Sequence, residues 1–295
     1  MTALRVSGWR AWFVWGTLLV YALARVCQLY ADRLPTLLIA VLHVVPPALF
    51  ALVHGSLLYR WRGIAVFAVF CLGFGTLAEL VSLRTGFPFG HYYFTDVMGP
   101  KIFQLPLLLA LAYLGIGYVA WILALVILGY ADEPINGTRV LILPLLASLI
   151  MLAWDLSMDP SWSMLDRAWI WQDGGRYFGV PVSNFFGWFF TAYVYYQAFA
   201  LYCRANPIPA GPSRQALWLP AILFYAVCGL GNVLILKQPM APPVVTDAAG
   251  RRWLTADILG NCVLVSLVVM VPLALLAWLR ARERPAKILH AAAGS

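Results

Sequence analysis

Charge is what this sequence has least of. Asp, Glu, Lys and Arg make up 11% of its 295 residues, against about 25% in ordinary soluble domains. That scarcity excludes a soluble globular enzyme, and it excludes a disordered chain, which needs more charge still. Cysteine is also sparse. Cys27, Cys71, Cys203, Cys228 and Cys262 all lie inside apolar segments with no CxxC pair, so neither a disulfide framework nor a zinc site is implied. The chain has no GxGxxG, which disfavours flavin or nicotinamide chemistry, and no Walker, HExxH or GxSxG motif. Hydrophobic residues fill the space instead, at 63% of the chain, with a mean hydropathy of +0.82. A soluble core cannot absorb that excess; a polytopic membrane protein can.

Eight apolar runs are long enough to span a bilayer: roughly 9–30, 35–59, 63–83, 102–130, 140–158, 180–203, 216–236 and 256–279. They lack the alternation of strands, and in lipid the backbone must satisfy itself, so helices are expected. The expected fold class is an all-α bundle of about eight spans, forming a single integral membrane domain over residues 1–295. Residues 73–188 carry the motifs, and a short basic tail covers 280–295. Arg5 and Arg10 precede the first run in the manner of a signal sequence, but the seven further spans make an uncleaved first span the better reading.

The net charge of +8 sits in short connections between spans, which points to membrane orientation rather than to nucleic acid. With an even number of spans the termini share a side. That side carries eleven basic residues (Arg5, Arg10, Arg60, Arg62, Arg139, Arg204, Arg214, Arg280, Arg282, Arg284, Lys287) against eight on the other, with Arg25 inside the first span. A multi-pass protein of the cell membrane with cytoplasmic termini is expected. The acids are more lopsided. Only Asp132, Glu133 and Glu283 lie on the termini side, while Glu79, Asp96, Asp155, Asp159, Asp166 and Asp173 all fall in or beside the connections after spans three and five. Those two connections should meet at one end of the bundle.

The first of them runs from Gly75 to Gln104. Glu79 lies just before the end of an apolar helix, and carboxylates at such positions usually face the bundle interior and mark function. Gly75, one turn earlier on the same face, would leave room for a slim ligand. Gly86, Pro88 and Gly90 break the helix. The aromatic segment 87–94, which contains His91, Tyr92 and Tyr93, is too broken to span and should be interfacial or re-entrant. In the second connection, Asp155 and Asp159 share a face if the helix persists. Pro160 disfavours helix at Asp159, which would then cap a new helix. Trp162, Trp169 and Trp171 suit either an aromatic belt or a cradle of π-faces for a cation. Asn184, Trp188, Thr191 and Tyr195 form one helical stripe beginning beside these acids. His43 and His54 lie on nearly one face of span two, but a haem wants facing histidines at matched depth on two helices, and no second pair exists.

At these two connections the chain resembles the membrane carotenoid hydratases of bacterioruberin-type and related acyclic or monocyclic pathways, a group that includes carotenoid 1,2-hydratase-like proteins. E-x-x-S-x-x-T-G-x-P-F-G-x-Y (Glu79 to Tyr92) looks like the first motif and D-x-x-M-D-P (Asp155 to Pro160) like the second. W-x-W, G-x-Y-F-G-V-P and N-F-x-G-W follow at Trp169, Gly175 and Asn184. The resemblance implies addition of water across the terminal double bond of a carotenoid ψ-end, giving a tertiary alcohol. Carotenoid, lipid bilayer and other carotenoid biosynthesis enzymes are the implied partners, and no cofactor is implied. Protonation of a trisubstituted alkene leaves a tertiary cation that water captures. The reaction therefore needs a neutral acid, a shield for the cation and one ordered water. A carboxyl shielded from water can keep its proton. Asp155 or Glu79 is the expected donor. The other, with Asp159, orients the water, and His91 relays protons to solvent. Asn184 holds the water, and Gly75, Tyr92, Tyr93, Trp169, Trp171 and Trp188 line the substrate.

Two other readings compete. Asp155-x-x-x-Asp159 is half of a magnesium–diphosphate site, as an intramembrane prenyltransferase would carry, but no second acid pair accompanies it. A non-catalytic carotenoid or lipid carrier would need no acids at the bundle end and would tolerate their replacement by amides.

Overall fold

The computed structural model describes residues 8–130, 133–207, 215–237 and 242–293. Arg5, Asp132 and Arg214, used in the charge comparison, lie outside them, as do the side chains of Arg284 and Lys287. Six helices are long and apolar enough to cross a membrane. They comprise α1 (Trp9–Cys27, continued by a 3-10 turn to Tyr30), α2 (Thr36–Thr85), α3 (Leu107–Leu128), α4 (Arg139–Met164), α6 (Gln215–Gly231, continued by a 3-10 turn to Lys237) and the run α7–α8 (Thr255–Val265 and Val271–Ala293, joined by a π turn).

The 50-residue α2 is two spans. Arg60 has φ 59 and ψ 169, which no helix accommodates, and the chain folds back there. Ile64 packs onto Gly55, although a straight helix would set residues nine apart about 13.5 Å from each other. Arg60, Trp61 and Arg62 occupy the exposed bend. Helix α5 (Val182–Ala205) is 24 residues long, about 36 Å, but carries Ser183, Asn184, Thr191 and four tyrosines. Both legs of α2 together with α5 bring the membrane-length helical segments to eight among the described residues.

Helix α3 forms the centre. Its side chains are apolar all round, and nearly every residue from Leu108 to Val126 is buried, as a helix surrounded by other helices requires. It packs against α2, α4, α6 and α8. Around it runs a continuous core of buried aromatic and aliphatic side chains. His54 belongs to that core, with its ring nitrogens engaged by the Tyr118 hydroxyl at 2.8 Å and the Leu217 carbonyl at 2.7 Å.

The two ends of the bundle differ. One carries the Arg60 bend and the connections after α3 and α5. The other carries the longer connections, built as three two-stranded ribbons: β1 (Tyr92–Phe94) with β4 (Trp169–Trp171), β2 (Lys101–Ile102) with β3 (Leu105–Pro106), and β5 (Val244–Thr246) with β6 (Arg252–Leu254). The aromatic segment after the third span is thus a short strand, antiparallel to the connection that follows α4, with Tyr92 opposite Trp171 and Phe94 opposite Trp169. The acid-bearing connections meet in this ribbon.

Candidate functional site

Glu79 reaches the site because α2 stops on cue. Gly86 adopts the left-handed conformation (φ 77) and its N–H closes on Ser82 O, a common helix ending that glycine makes free of strain. The Ser82 hydroxyl then receives the Phe89 N–H at 3.3 Å and donates to Gly90 O at 3.2 Å, and Ser183 of α5 donates to Phe89 O at 2.8 Å. At Gly187 of α5 a Cβ would lie 2.6 Å from the Phe89 ring and 2.9 Å from Pro88 O, so only glycine lets this helix press against the turn. Phe89 stacks on Trp188 with ring centres 4.8 Å apart.

Strand alternation decides which side chains point inward. Tyr92 and Phe94 of β1 and Trp169 and Trp171 of β4 are buried, while Tyr93 between them is 47% exposed. Tyr92 donates its hydroxyl to Glu79 Oε2, and Tyr113 of α3 donates to Glu79 Oε1. Burial and the neighbouring Glu79 hold the Tyr92 phenol well above its ordinary range, so it remains a proton-bearing donor.

On the facing wall, α4 continues through Pro160 to Met164. Proline there cannot bond the Leu156 carbonyl, and the Tyr177 hydroxyl does so instead, at 3.0 Å. Asp159 is therefore not a helix cap. Its Oδ1 accepts the indole N–H of Trp169 at 2.9 Å and of Trp171 at 3.4 Å. The Asn184 amide nitrogen donates to Asp159 Oδ2 at 2.7 Å and to Asp155 Oδ2 at 3.1 Å. One amide thus binds the two aspartates together.

Glu79, Asp155 and Asp159 are 3%, 5% and 2% exposed. All three border one small pocket of about 30 Å³, walled by Phe89, Tyr92, Tyr113, Trp169, Trp171 and Trp188. No described Lys, Arg or His pairs with any of them. Three adjacent carboxyls without a cation cannot all be ionised in such a place at tolerable energy. The cluster is suited to storing and passing protons between carboxyls. Among the described residues no three His, Cys, Asp or Glu side chains are grouped to hold a metal ion.

Of the residues expected at the site, the structure brings together Glu79, Asp155, Asp159, Tyr92, Trp169, Trp171, Asn184 and Trp188. Three others lie elsewhere. His91 is exposed and its ring pairs with Asp173 at 2.7 Å on the surface, because the residue before the inward Tyr92 points outward. Tyr93 points outward for the same reason. Gly75 is buried on α2 and borders neither the pocket nor its flanking spaces; a Cβ there would make ordinary contact, at 3.5 Å, with the Tyr113 ring. Asn184, expected to hold water, spends its amide nitrogen on the aspartates. Asp96, 2.8 Å from Lys101, forms an ordinary surface pair, and the lysine holds its carboxyl below the usual range.

Sequence reasoning missed Tyr113. A signal existed. Glu79 lies six residues before the end of α2 and Tyr113 six residues into α3, so in consecutive antiparallel helices the two sit at matched depth, about 9 Å in.

Two larger spaces flank the pocket. A cleft of about 190 Å³ lies between α2, α3 and the β2–β3 ribbon. It is lined almost wholly by apolar groups and shares Glu79, Leu109 and Tyr113 with the pocket. A cavity of about 140 Å³ lies on the α1, α4 and α6 side and shares Leu109, Met158 and Trp169 with it.

No solved structure matches the chain. Over 136 residues it is 30% identical to a bisanhydrobacterioruberin hydratase of Haloarcula japonica; the match covers 46% of this chain and 43% of that protein, so the chain spans less than half the length of this relative. The family model described as "Carotenoid biosynthesis protein" matches residues 35–250, a stretch that contains both acid-bearing connections and every wall of the pocket. This chain therefore belongs to the carotenoid biosynthesis protein family, as a multi-pass membrane member.

Proposed function

We propose that the protein is a carotenoid hydratase. It adds water across the terminal double bond of a ψ-end, on an acyclic or monocyclic carotenoid, and leaves a tertiary alcohol. The observation that carries this reading is the meeting of three buried carboxyls, with no cation paired to them among the described residues, in one pocket walled by aromatic faces. A carrier needs no such group of acids.

The hydrogen-bond inventory suggests the roles. Asp159 accepts three N–H donors and Glu79 two phenols, whereas Asp155 accepts one N–H shared with its neighbour. Asp155 therefore gives up least by carrying a proton. It protonates the less substituted carbon of the alkene. The positive charge that develops on the tertiary carbon faces Trp169, Trp171, Trp188 and Tyr92, whose ring faces attract cations, and the ionised carboxylates beside it lower its energy further. A water within the 30 Å³ pocket, a volume that suits one or two waters, attacks that carbon. Its proton passes to Asp159 or Glu79 and back to Asp155 through the cluster. The polyene reaches the pocket along the apolar cleft that ends at Glu79. We place both termini on the cytoplasmic side, on the excess of basic residues there.

Expression of the full chain in cells that make lycopene tests the reading. Pigments examined by mass spectrometry gain one water per reacted end. Unchanged pigment from well-inserted protein would refute it, and carotenoid that co-purifies unaltered would favour a carrier.

A further inference from the structure

The cavity beside α1 is unlike the cleft. Its wall carries Arg25, Gln28, Ser157, Ser161, Asp166 and Asn232. Arg25 is the ionisable residue inside the first span, and it is only 8% exposed. Its Nη2 donates to Asn232 Oδ1. The Asn232 amide in turn donates to Ser157 at 3.3 Å and to Ser266 at 2.7 Å, on the π turn between α7 and α8. Gln28 donates to Gly231 O at 2.6 Å. The Asn232 bond fixes the guanidinium in place, and its Nε, packed against Gly231, has no partner among the described residues. An ionisable side chain placed inside a membrane span is costly and marks a position of functional use.

We propose that this cavity is the water chamber of the hydration reaction, held open and wet by Arg25, and that it feeds the acid pocket past Met158 and Trp169. The inference rests on the hydratase reading. Most of its wall is apolar, but it gathers donors (Arg25, Gln28) and an acceptor (Asp166) that are scarce in the cleft, a mixture that suits water better than an anion. At about 140 Å³ it exceeds the room needed for one water several-fold. It meets the pocket at Met158 and Trp169, whereas the apolar cleft meets it at Glu79 and Tyr113, and the two spaces have only Leu109 in common. Oil and water thus reach the cation from different sides, and only the chamber delivers the nucleophile.

A cation deprived of water has another fate. The proton added to the alkene carbon formed one C–H bond. If no oxygen attacks, a C–H bond at that same carbon breaks, its electron pair restores the double bond, and the proton returns to the carboxylate. In deuterium oxide this exchange leaves deuterium in recovered, unhydrated carotenoid.

The test uses membranes holding the full chain and lycopene in deuterium oxide. Thr36→Trp and Ser161→Phe fill the chamber from residues that line it but do not line the acid pocket, and Thr36 is exposed, so that variant disturbs no packing. Hydration is expected to fall roughly tenfold in both, with exchange into recovered lycopene maintained or raised. Wild-type hydration in both variants would overturn the chamber and leave the hydratase standing. Loss of hydration and exchange together, in variants that still elute as folded protein, would also overturn it, because the space would then hold the polyene. A wild-type chain that neither hydrates nor exchanges would remove the hydratase reading and this inference with it.

Discussion

The two walls of the acid pocket hold their carboxyls by different chemistry. On the α2 wall Glu79 is gripped by two phenols, Tyr92 and Tyr113, and borders the apolar cleft. On the α4 wall Asp155 and Asp159 are joined by the Asn184 amide and backed by two indoles, with Met158 and Trp169 leading on to the polar cavity. A phenol oxygen can accept a hydrogen bond as well as donate one, whereas indole and amide N–H groups only donate. Glu79 therefore has a donor on each oxygen, while Asp155 has only the amide it shares with Asp159 and is the least engaged of the three. The difference teaches that carboxyls of one cluster can be assigned separate duties by their donors alone.

That contrast sets the predictions. The largest effect belongs to Asp155→Asn, which removes the proposed donor but keeps its shape. Hydrated pigment in the lycopene assay should fall by roughly 10²–10⁴-fold, with insertion unchanged. Glu79→Gln should fall almost as far, and equal turnover by either variant and the wild type would dissolve the assignment. Next comes Asn184→Leu. It leaves both aspartates short of a donor, and the protein in detergent should lose about 1–3 kcal/mol of stability, read as a lower unfolding midpoint. Tyr113→Phe strips one of two donors from Glu79 and should slow hydration roughly tenfold, in line with one charge-assisted bond. Trp171→Phe should do least, within about threefold, because its bond to Asp159 is 3.4 Å long against 2.9 Å for Trp169 and such contacts weaken steeply with distance. A larger loss from Trp171→Phe than from Trp169→Phe would show that the ring face matters more than the N–H. Chelation of magnesium should leave turnover unaltered in all of them; a magnesium requirement would favour the prenyltransferase reading of Asp155 and Asp159.

Much of the bundle was legible beforehand. Apolar runs of about 20 residues must be helices in lipid, and Arg60-Trp61-Arg62 marked the bend where α2 turns back. The helix stop at Gly86 was legible too, and so was the meeting of the two acid-bearing connections, since lone carboxylates near helix ends had nowhere else to be used. The stripe Asn184, Trp188, Thr191 and Tyr195 is buried as its spacing implied. What misled was local. Pro160 argued for a helix break at Asp159, but a hydroxyl 21 residues away, on Tyr177, satisfies the freed carbonyl. His91 attracted a role through its chemistry, whereas the side it faces depends on strand register.

By itself the sequence determined that this is a membrane helix bundle with its acids gathered at one end, because both follow from composition and from the energy of placing charge in lipid. Only the tertiary structure decided which groups enter the pocket. That choice hangs on the pairing of Tyr92 with Trp171, 79 residues apart, and a shift of one residue in that register would exchange Tyr92 for its outward neighbours. Long-range pairing of this kind leaves no trace in local patterning, since each strand by itself is only three residues of aromatic chain.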